Sequence, residues 1–268
     1  MDTNSNQARR VVIGITAHVD AGKTTLAEAM LYRTGQLRKL GRVDHGSAAM
    51  DSHLLERERG ITIFSSQAEL PIGDLEVTLL DTPGHVDFSA EMERTLSVLD
   101  YAILVISGAD GVQAHTRTLW RLLELYRIPT FLFVTKMDFG RCGRGQMMEH
   151  LHHELGEGCV DFTPADRERR MEQLATCRED ALEAYLDGGE VPDALVRQLV
   201  GRRLVFPCWF GSGLKLEGID EFLEGLARYV EPPAYPAAFS ARVFKISHDP
   251  QGKRLTHLKV TGGTLRVR

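Results

Sequence analysis

The chain of 268 residues holds only four cysteines, Cys142, Cys159, Cys177 and Cys208, and no two of them form a C-x-x-C pair. That spacing argues against zinc and against a disulfide framework, and it suits a reducing, cytoplasmic setting. No apolar run approaches the roughly 18 residues of a membrane span, so no membrane association is expected. Residues 1–10 are polar and lack the apolar core of a secretory leader. A basic excess is also missing: 32 Lys and Arg stand against 37 Asp and Glu, for a formal net charge of −5. Nothing global attracts nucleic acid, so no direct DNA binding is expected, and any RNA contact must be local or made by parts outside this chain. No internal repeat or low-complexity tract is present. What remains, 43% hydrophobic and 26% charged, is an ordinary globular composition.

The first two thirds alternate short apolar runs with helical patterns. Residues 11–15, Val-Val-Ile-Gly-Ile, read as a buried strand. Leu26, Ala29, Met30 and Arg33 then fall at helical spacing, and Gly35 can stop that helix. Residues 36–70 are mixed and polar, with no clear core pattern before Ile61. Residues 75–80 and 101–106 are further strands, with a helix between them marked by Met92, Leu96 and Leu99. Leu119, Leu122, Leu123 and Tyr126 mark the next helix, and residues 130–134 another strand. Residues 141–203 are charged and helical in pattern, broken at Gly188-Gly189. Residues 204–210 form the last apolar run, followed by an amphipathic helix through Ile219, Phe222, Leu223, Leu226 and Ala227. Pro207 donates no ladder hydrogen bond, so that last run is expected to be short or at an edge. Such alternation implies an α/β fold with a mostly parallel sheet and helices on both faces.

Residues 231–236, Glu-Pro-Pro-Ala-Tyr-Pro, form a stiff linker and the clearest boundary. Beyond it the texture changes to antiparallel strands over 239–246 and 256–260, joined by a turn at 248–252. The expected division is a polar tail over 1–10, a principal domain over 11–230, a linker over 231–236 and an incomplete β-domain over 237–268.

The loop Ala17-His18-Val19-Asp20-Ala21-Gly22-Lys23-Thr24 follows a strand and opens a helix, the setting in which a phosphate loop works. Backbone N–H groups around Asp20, Ala21, Gly22, Thr24 and Thr25 would point at a β-phosphate, aided by the helix N-terminus. Lys23 would bridge the β- and γ-phosphates, and the Thr24 hydroxyl would bind Mg²⁺. Ala17 stands where glycine is usual. Asp81-Thr82-Pro83-Gly84-His85 ends a strand. Asp81 is placed for Mg²⁺, Gly84 lacks a side chain and can bring its N–H to the γ-phosphate, and His85 can orient a water. Alone, these residues equally describe a β-turn followed by a solvated histidine. Thr62, in Arg57-Glu58-Arg59-Gly60-Ile61-Thr62-Ile63, can ligate Mg²⁺ and sense the γ-phosphate, although from spacing alone the segment is as well a charged loop entering an edge strand. In Thr135-Lys136-Met137-Asp138, the Asp138 carboxylate can accept from guanine N1–H and the exocyclic amine, which adenine cannot supply, while the Lys136 stem covers the base. Gly211-Ser212-Gly213-Leu214-Lys215 can offer N–H groups to guanine O6, or is a plain turn.

In this order, the segments at 17–25, 59–63, 81–85, 135–138 and 211–215 resemble the GTP-binding domain of translational GTPases. Within that superfamily the chain is most similar to the tetracycline-resistance ribosomal protection proteins, relatives of elongation factor G, through residues 40–46, 54–60, 96–100 and 110–117. The resemblance covers residues 10–268 and implies a P-loop GTPase domain (11–230) followed by the start of an antiparallel β-barrel (237–268). It implies GTP or GDP as ligand, Mg²⁺ held by Thr24, Thr62 and Asp81, a monovalent cation near Asp20, and ribosome-stimulated hydrolysis of GTP. His85, Lys23, Thr62 and Gly84 take the catalytic roles, and Val19 and Ile61 an apolar gate beside His85. His18, Thr82, Pro83, Thr135, Ser212, Gly213 and Leu214 line the nucleotide. The ribosome is the implied partner, engaged mainly through domains beyond this chain. Two departures stand out: Thr135 replaces the usual Asn, and Tyr101 stands where a small residue is typical. An elongation factor G-type translocase, a nucleotide-dependent binding module with negligible turnover, and a P-loop ATPase or kinase are the competing readings; Asp138 and His85 argue against the last.

Overall fold

The computed structural model describes residues 9–38, 66–82, 89–139, 142–163, 167–249 and 251–266. Among them seven strands form the main sheet: β1 (Arg9–Ala17), β2 (Ser66–Ile72), β3 (Leu75–Asp81), β4 (Tyr101–Ser107), β5 (Thr130–Thr135), β6 (Cys159–Asp161) and β7 (Phe206–Phe210). Their order is β2-β3-β1-β4-β5-β7-β6. Every neighbouring pair is parallel except β2 and β3.

β4 and β5 are buried at every position, as strands covered on both faces must be. Alternation along the strands divides the interior into two cores. Ile13, Ile15, Ile103, Val105, Phe131 and Phe133 face one; Ala102, Leu104, Ile106, Leu132 and Val134 face the other. The first core is closed by α1 (Lys23–Arg33) and α8 (Ile219–Tyr229), through Leu26, Met30, Phe222 and Leu226. It continues under α5 (Arg167–Cys177), α6 (Glu179–Gly188) and α7 (Asp193–Gly201) by way of Leu174, Ala181, Val196 and Leu199. The second core is closed by α2 (Ser89–Leu96), α3 (Ala114–Leu125) and α4 (Arg144–Leu155), through Met92, Leu96, Leu119, Leu123 and Leu151. Each fully buried Phe or Leu contributes about 1.5–3 kcal/mol of burial, so the two cores fix the strand ends from which the site is built.

Three elements differ from the pattern of the sequence. β2 lies across the end of the mixed, polar stretch 36–70, where it adds an antiparallel edge with only part of its face buried. β6 interrupts the helical stretch 141–203 and holds only three residues, too few to display a period. β7 is short, as Pro207 suggests, but it is not an edge strand, since it pairs with both β5 and β6. Proline is tolerated because the Phe206 N–H bonds Gly158 O at 2.7 Å on the β6 side, while the β5 register begins only at Leu132–Cys208. Leu99 lies beyond the end of α2 rather than within it.

Residues 231–236 carry neither helix nor strand. After them β8 (Ser240–His248) and β9 (Arg254–Gly262) form a two-stranded antiparallel sheet. Asp100, at the α2–β4 turn, anchors that hairpin. Its Oδ2 accepts the Val12 N–H at 2.8 Å, and its Oδ1 accepts the Tyr235 hydroxyl at 3.0 Å and the Lys259 ammonium at 2.5 Å. Burial pulls the Lys259 ammonium below its ordinary pKa, and the adjacent Asp100 partly restores it. Tyr101 has a role as well. Its hydroxyl donates to Glu231 O at 3.2 Å and accepts the Glu231 N–H at 3.1 Å, while its ring packs on Phe131. Burial raises its pKa, which keeps the donor proton in place.

Candidate nucleotide-binding site

The C-terminal ends of the parallel strands converge on one corner, which is where doubly wound sheets bind ligands. β1 ends at Ala17, whose side chain is wholly buried, and the chain then turns through His18, Val19 and Asp20. Asp20 is exposed with φ +60°, and Gly22 has φ +95°, a conformation natural to glycine. Ala21 N–H closes the turn on His18 O at 3.1 Å. α1 starts at once, without a side-chain cap and without an acidic residue in its first turn. Its opening N–H groups, from Lys23, Thr24 and Thr25, lie at the positive end of the helix dipole, the arrangement that suits an anion cradle.

Lys23 is buried under this loop. Its ammonium bonds the Asp81 carboxylate and donates to Thr82 O at 2.8 Å. Asp81 and Thr82 are wholly buried at the end of β3, and the Thr82 hydroxyl donates to Ile15 O at 2.9 Å. Asp81 thus already holds a cation at the place where a metal is expected, while Thr24 stands half-buried on the first turn of α1. A buried carboxylate that already holds a cation, together with a hydroxyl on the first turn of α1, offers the oxygen donors that fit Mg²⁺.

The far wall comes from β5 and β7. The Thr135 hydroxyl donates to Ala21 O at 2.5 Å and lies 3.2 Å from Ile106 O, so β5 is tied directly to the phosphate loop. Lys136 follows with φ +58°, and Asp138 stands in a short 3-10 turn, Met137–Phe139, with its side chain 13% exposed. The Lys215 ammonium lies 3.4 Å from Asp138 Oδ2. The turn after β7 closes on itself through Ser212 and Glu217, which exchange backbone bonds at 3.1 and 3.0 Å. A Cβ on Gly213 would come within 3.2 Å of Thr25 O, so this turn rests on the start of α1, with Leu214 half-exposed beside it. Met137 N–H to Gly211 O, 3.3 Å, and Gly211 N–H to Val134 O, 2.9 Å, lash the two wall segments together.

The structure therefore gathers Ala17 to Thr25, Asp81, Thr82, Thr135, Lys136, Asp138 and Ser212 to Leu214 along the same strand ends. Thr62, Pro83, Gly84 and His85 lie outside the described residues, as does Ile61. A contact of Thr135 with the phosphate loop is what the resemblance implies, weakened by the loss of the amide, but its partner Ala21 O and the Lys215–Asp138 pair have no signal in spacing, because each joins residues from different loops.

The description Elongation factor Tu GTP binding domain matches residues 8–232. The chain belongs to that family. It is a GTP-binding domain. Among curated proteins it is 39% identical to the Oxytetracycline resistance protein of Streptomyces rimosus, and 34% identical to the Tetracycline resistance protein TetO of Campylobacter jejuni. In both cases the match covers 96% of this chain and 43% of the relative, so the chain spans less than half the length of these relatives. Among solved structures, a protein of Thermus thermophilus superposes with a TM-score of 0.85 at 27% identity, covering 96% of this chain and 46% of that one. No helix among the described residues is long and apolar enough to cross a membrane.

Proposed function

We propose that the chain is the GTP-hydrolysing part of a ribosome-associated, cytoplasmic translation factor of the ribosomal protection type, as its tetracycline-resistance relatives suggest. The guanine reading is carried by Asp138, a carboxylate held nearly buried between two cross-bonded loops. It accepts from the N1–H and amine of guanine once Lys215 gives way, and adenine offers it no matching pair of donors. The α1 N-terminus and Lys23 take the phosphates, so Lys23 exchanges the Asp81 carboxylate for phosphate oxygens. Thr24 and Asp81 hold Mg²⁺, with Thr62 as a third ligand and Asp20 beside a monovalent cation. The metal, when bound, neutralises charge on the β- and γ-phosphate oxygens. His85 positions the attacking water and the Gly84 N–H contacts the γ-phosphate. Residues 11–230 form this unit, 231–236 the linker, and 237–268 the first part of a β-barrel domain.

The test is titration of the chain with GDP and ADP, followed by turnover of GTP with and without ribosomes in the longer protein that contains it. GDP at least tenfold tighter than ADP, and turnover that ribosomes accelerate, are expected. Equal affinities overturn the guanine assignment; turnover indifferent to ribosomes leaves a nucleotide-dependent binding module in place of a stimulated enzyme.

A further inference from the structure

Thr135 occupies the first position of the base-recognition segment, and its hydroxyl is engaged by backbone carbonyls of the phosphate loop and of β4. A threonine hydroxyl has one proton. Here that proton faces Ala21 O at 2.5 Å, with Ile106 O second at 3.2 Å. The side chain is buried, and a Cβ placed on Gly22 would touch the hydroxyl oxygen at 3.4 Å, so the group lies alongside the phosphate loop. Rotation about χ1 would not free it. Threonine is stiff there, and turning the hydroxyl out would bring a methyl or hydrogen to face two buried carbonyls and leave both without this donor. Toward a bound purine, Thr135 can present only lone pairs. Purine N7 is itself an acceptor, so no hydrogen bond can form between them.

We infer that Thr135 is a positioning residue for the phosphate loop and gives nothing to the imidazole edge of the base, so that this protein accepts guanine nucleotides lacking N7 as readily as GDP itself. The inference rests on the guanine reading above and narrows it: base selection falls on the Watson–Crick edge, read by Asp138, with the N7 edge unread from this side. An amide at position 135 would differ, because its two N–H donors can serve the loop carbonyl and N7 together.

The test is calorimetric titration of the whole chain with GDP, 7-deaza-GDP and ADP, for wild type and for Thr135→Asn, Thr135→Ser and Thr135→Val. Wild type is expected to bind 7-deaza-GDP within about twofold of GDP. Thr135→Ser keeps that ratio. Thr135→Asn opens it to roughly fivefold in favour of GDP, the factor carried by one hydrogen bond of ordinary strength. Thr135→Val weakens GDP and 7-deaza-GDP equally, because it removes the brace and not a base contact. A wild-type protein that binds 7-deaza-GDP fivefold or more weakly than GDP overturns the inference, and this comparison stands even if a variant fails to fold. GDP no tighter than ADP would instead overturn the guanine reading, so the two failures are told apart in one experiment.

Discussion

The Lys23 ammonium lies on the Asp81 carboxylate across 58 positions of sequence, and both groups are buried beneath the phosphate loop. The pair acts as a stand-in for the bound state: the carboxylate that would meet a metal meets a lysine, and the lysine that would meet phosphate meets a carboxylate. Lys23→Met should therefore act twice. It removes a cationic partner from a buried carboxylate, which destabilises the fold, and it removes the phosphate ligand. Urea unfolding and GDP titration of the same variant should both shift. A Lys23→Met protein of undiminished stability would show that the pair contributes nothing to the free state.

Asp138→Asn converts a double acceptor into a group with both a donor and an acceptor. GDP affinity should fall by at least tenfold, because the amide keeps one acceptor for N1–H and sets its N–H against the guanine amine. Xanthosine diphosphate, which carries an oxygen in place of that amine, should gain. Parallel titrations with the two nucleotides check the crossover.

Tyr101 joins the start of β4 to Glu231 through both the N–H and the carbonyl of that residue. Tyr101→Phe should cost about 1 kcal/mol, the net worth of such bonds, and Tyr101→Gly about 3 kcal/mol or more, because an aromatic ring packed on Phe131 is lost as well. Chemical unfolding of the two variants separates the hydroxyl from the ring.

Much of this was legible beforehand and some was not, for physical reasons. β4 and β5 are runs of buried residues that are apolar except at their ends, and the loop between β1 and α1 advertises itself by composition. β2 does not, because an antiparallel edge strand containing Pro71 and Glu69 has only one face to bury and shows little contrast. β6, three residues long, is too short to display an alternation. Tyr101 and Thr135 look like departures from a pattern; the resemblance ties position 135 to the phosphate loop, but Glu231, 130 positions from Tyr101, is beyond the reach of local reasoning. The segments proposed to meet phosphate and base stand out by residue type; the bonds that tie those segments to each other do not.

Arg117 holds Glu154 at a pKa of about 2, chiefly through its hydrogen bond at 2.5 Å, against an ordinary value of 4.5. A carboxylate depressed in the folded state contributes stability that is fully present above about pH 4.5 and is lost as the pH falls toward 2. Arg117→Gln should therefore unfold at a higher pH on acid titration, and the two proteins should converge near pH 2. Acid unfolding curves that overlay throughout would remove this pair from the account.

Lys259→Met should loosen the hairpin without disturbing the sheet. Hydrogen exchange in β8 and β9 is expected to rise while β4 and β5 stay protected, because Asp100 loses the ammonium that reaches it from β9. Equal acceleration in both regions would mean that the two sheets unfold as one unit.

The spacing of Asp100 from its partners also bears on the order of assembly. Val12 lies 88 positions before it, Tyr235 comes 135 positions after, and Lys259 159 after. During synthesis from the N-terminus, Val12 and Asp100 are both available long before the other two have been made. The carboxylate can thus settle against the β1 backbone while its second oxygen still faces water. The hairpin, arriving last, finds a charge already fixed in place, and the final docking step closes on a prepared anion.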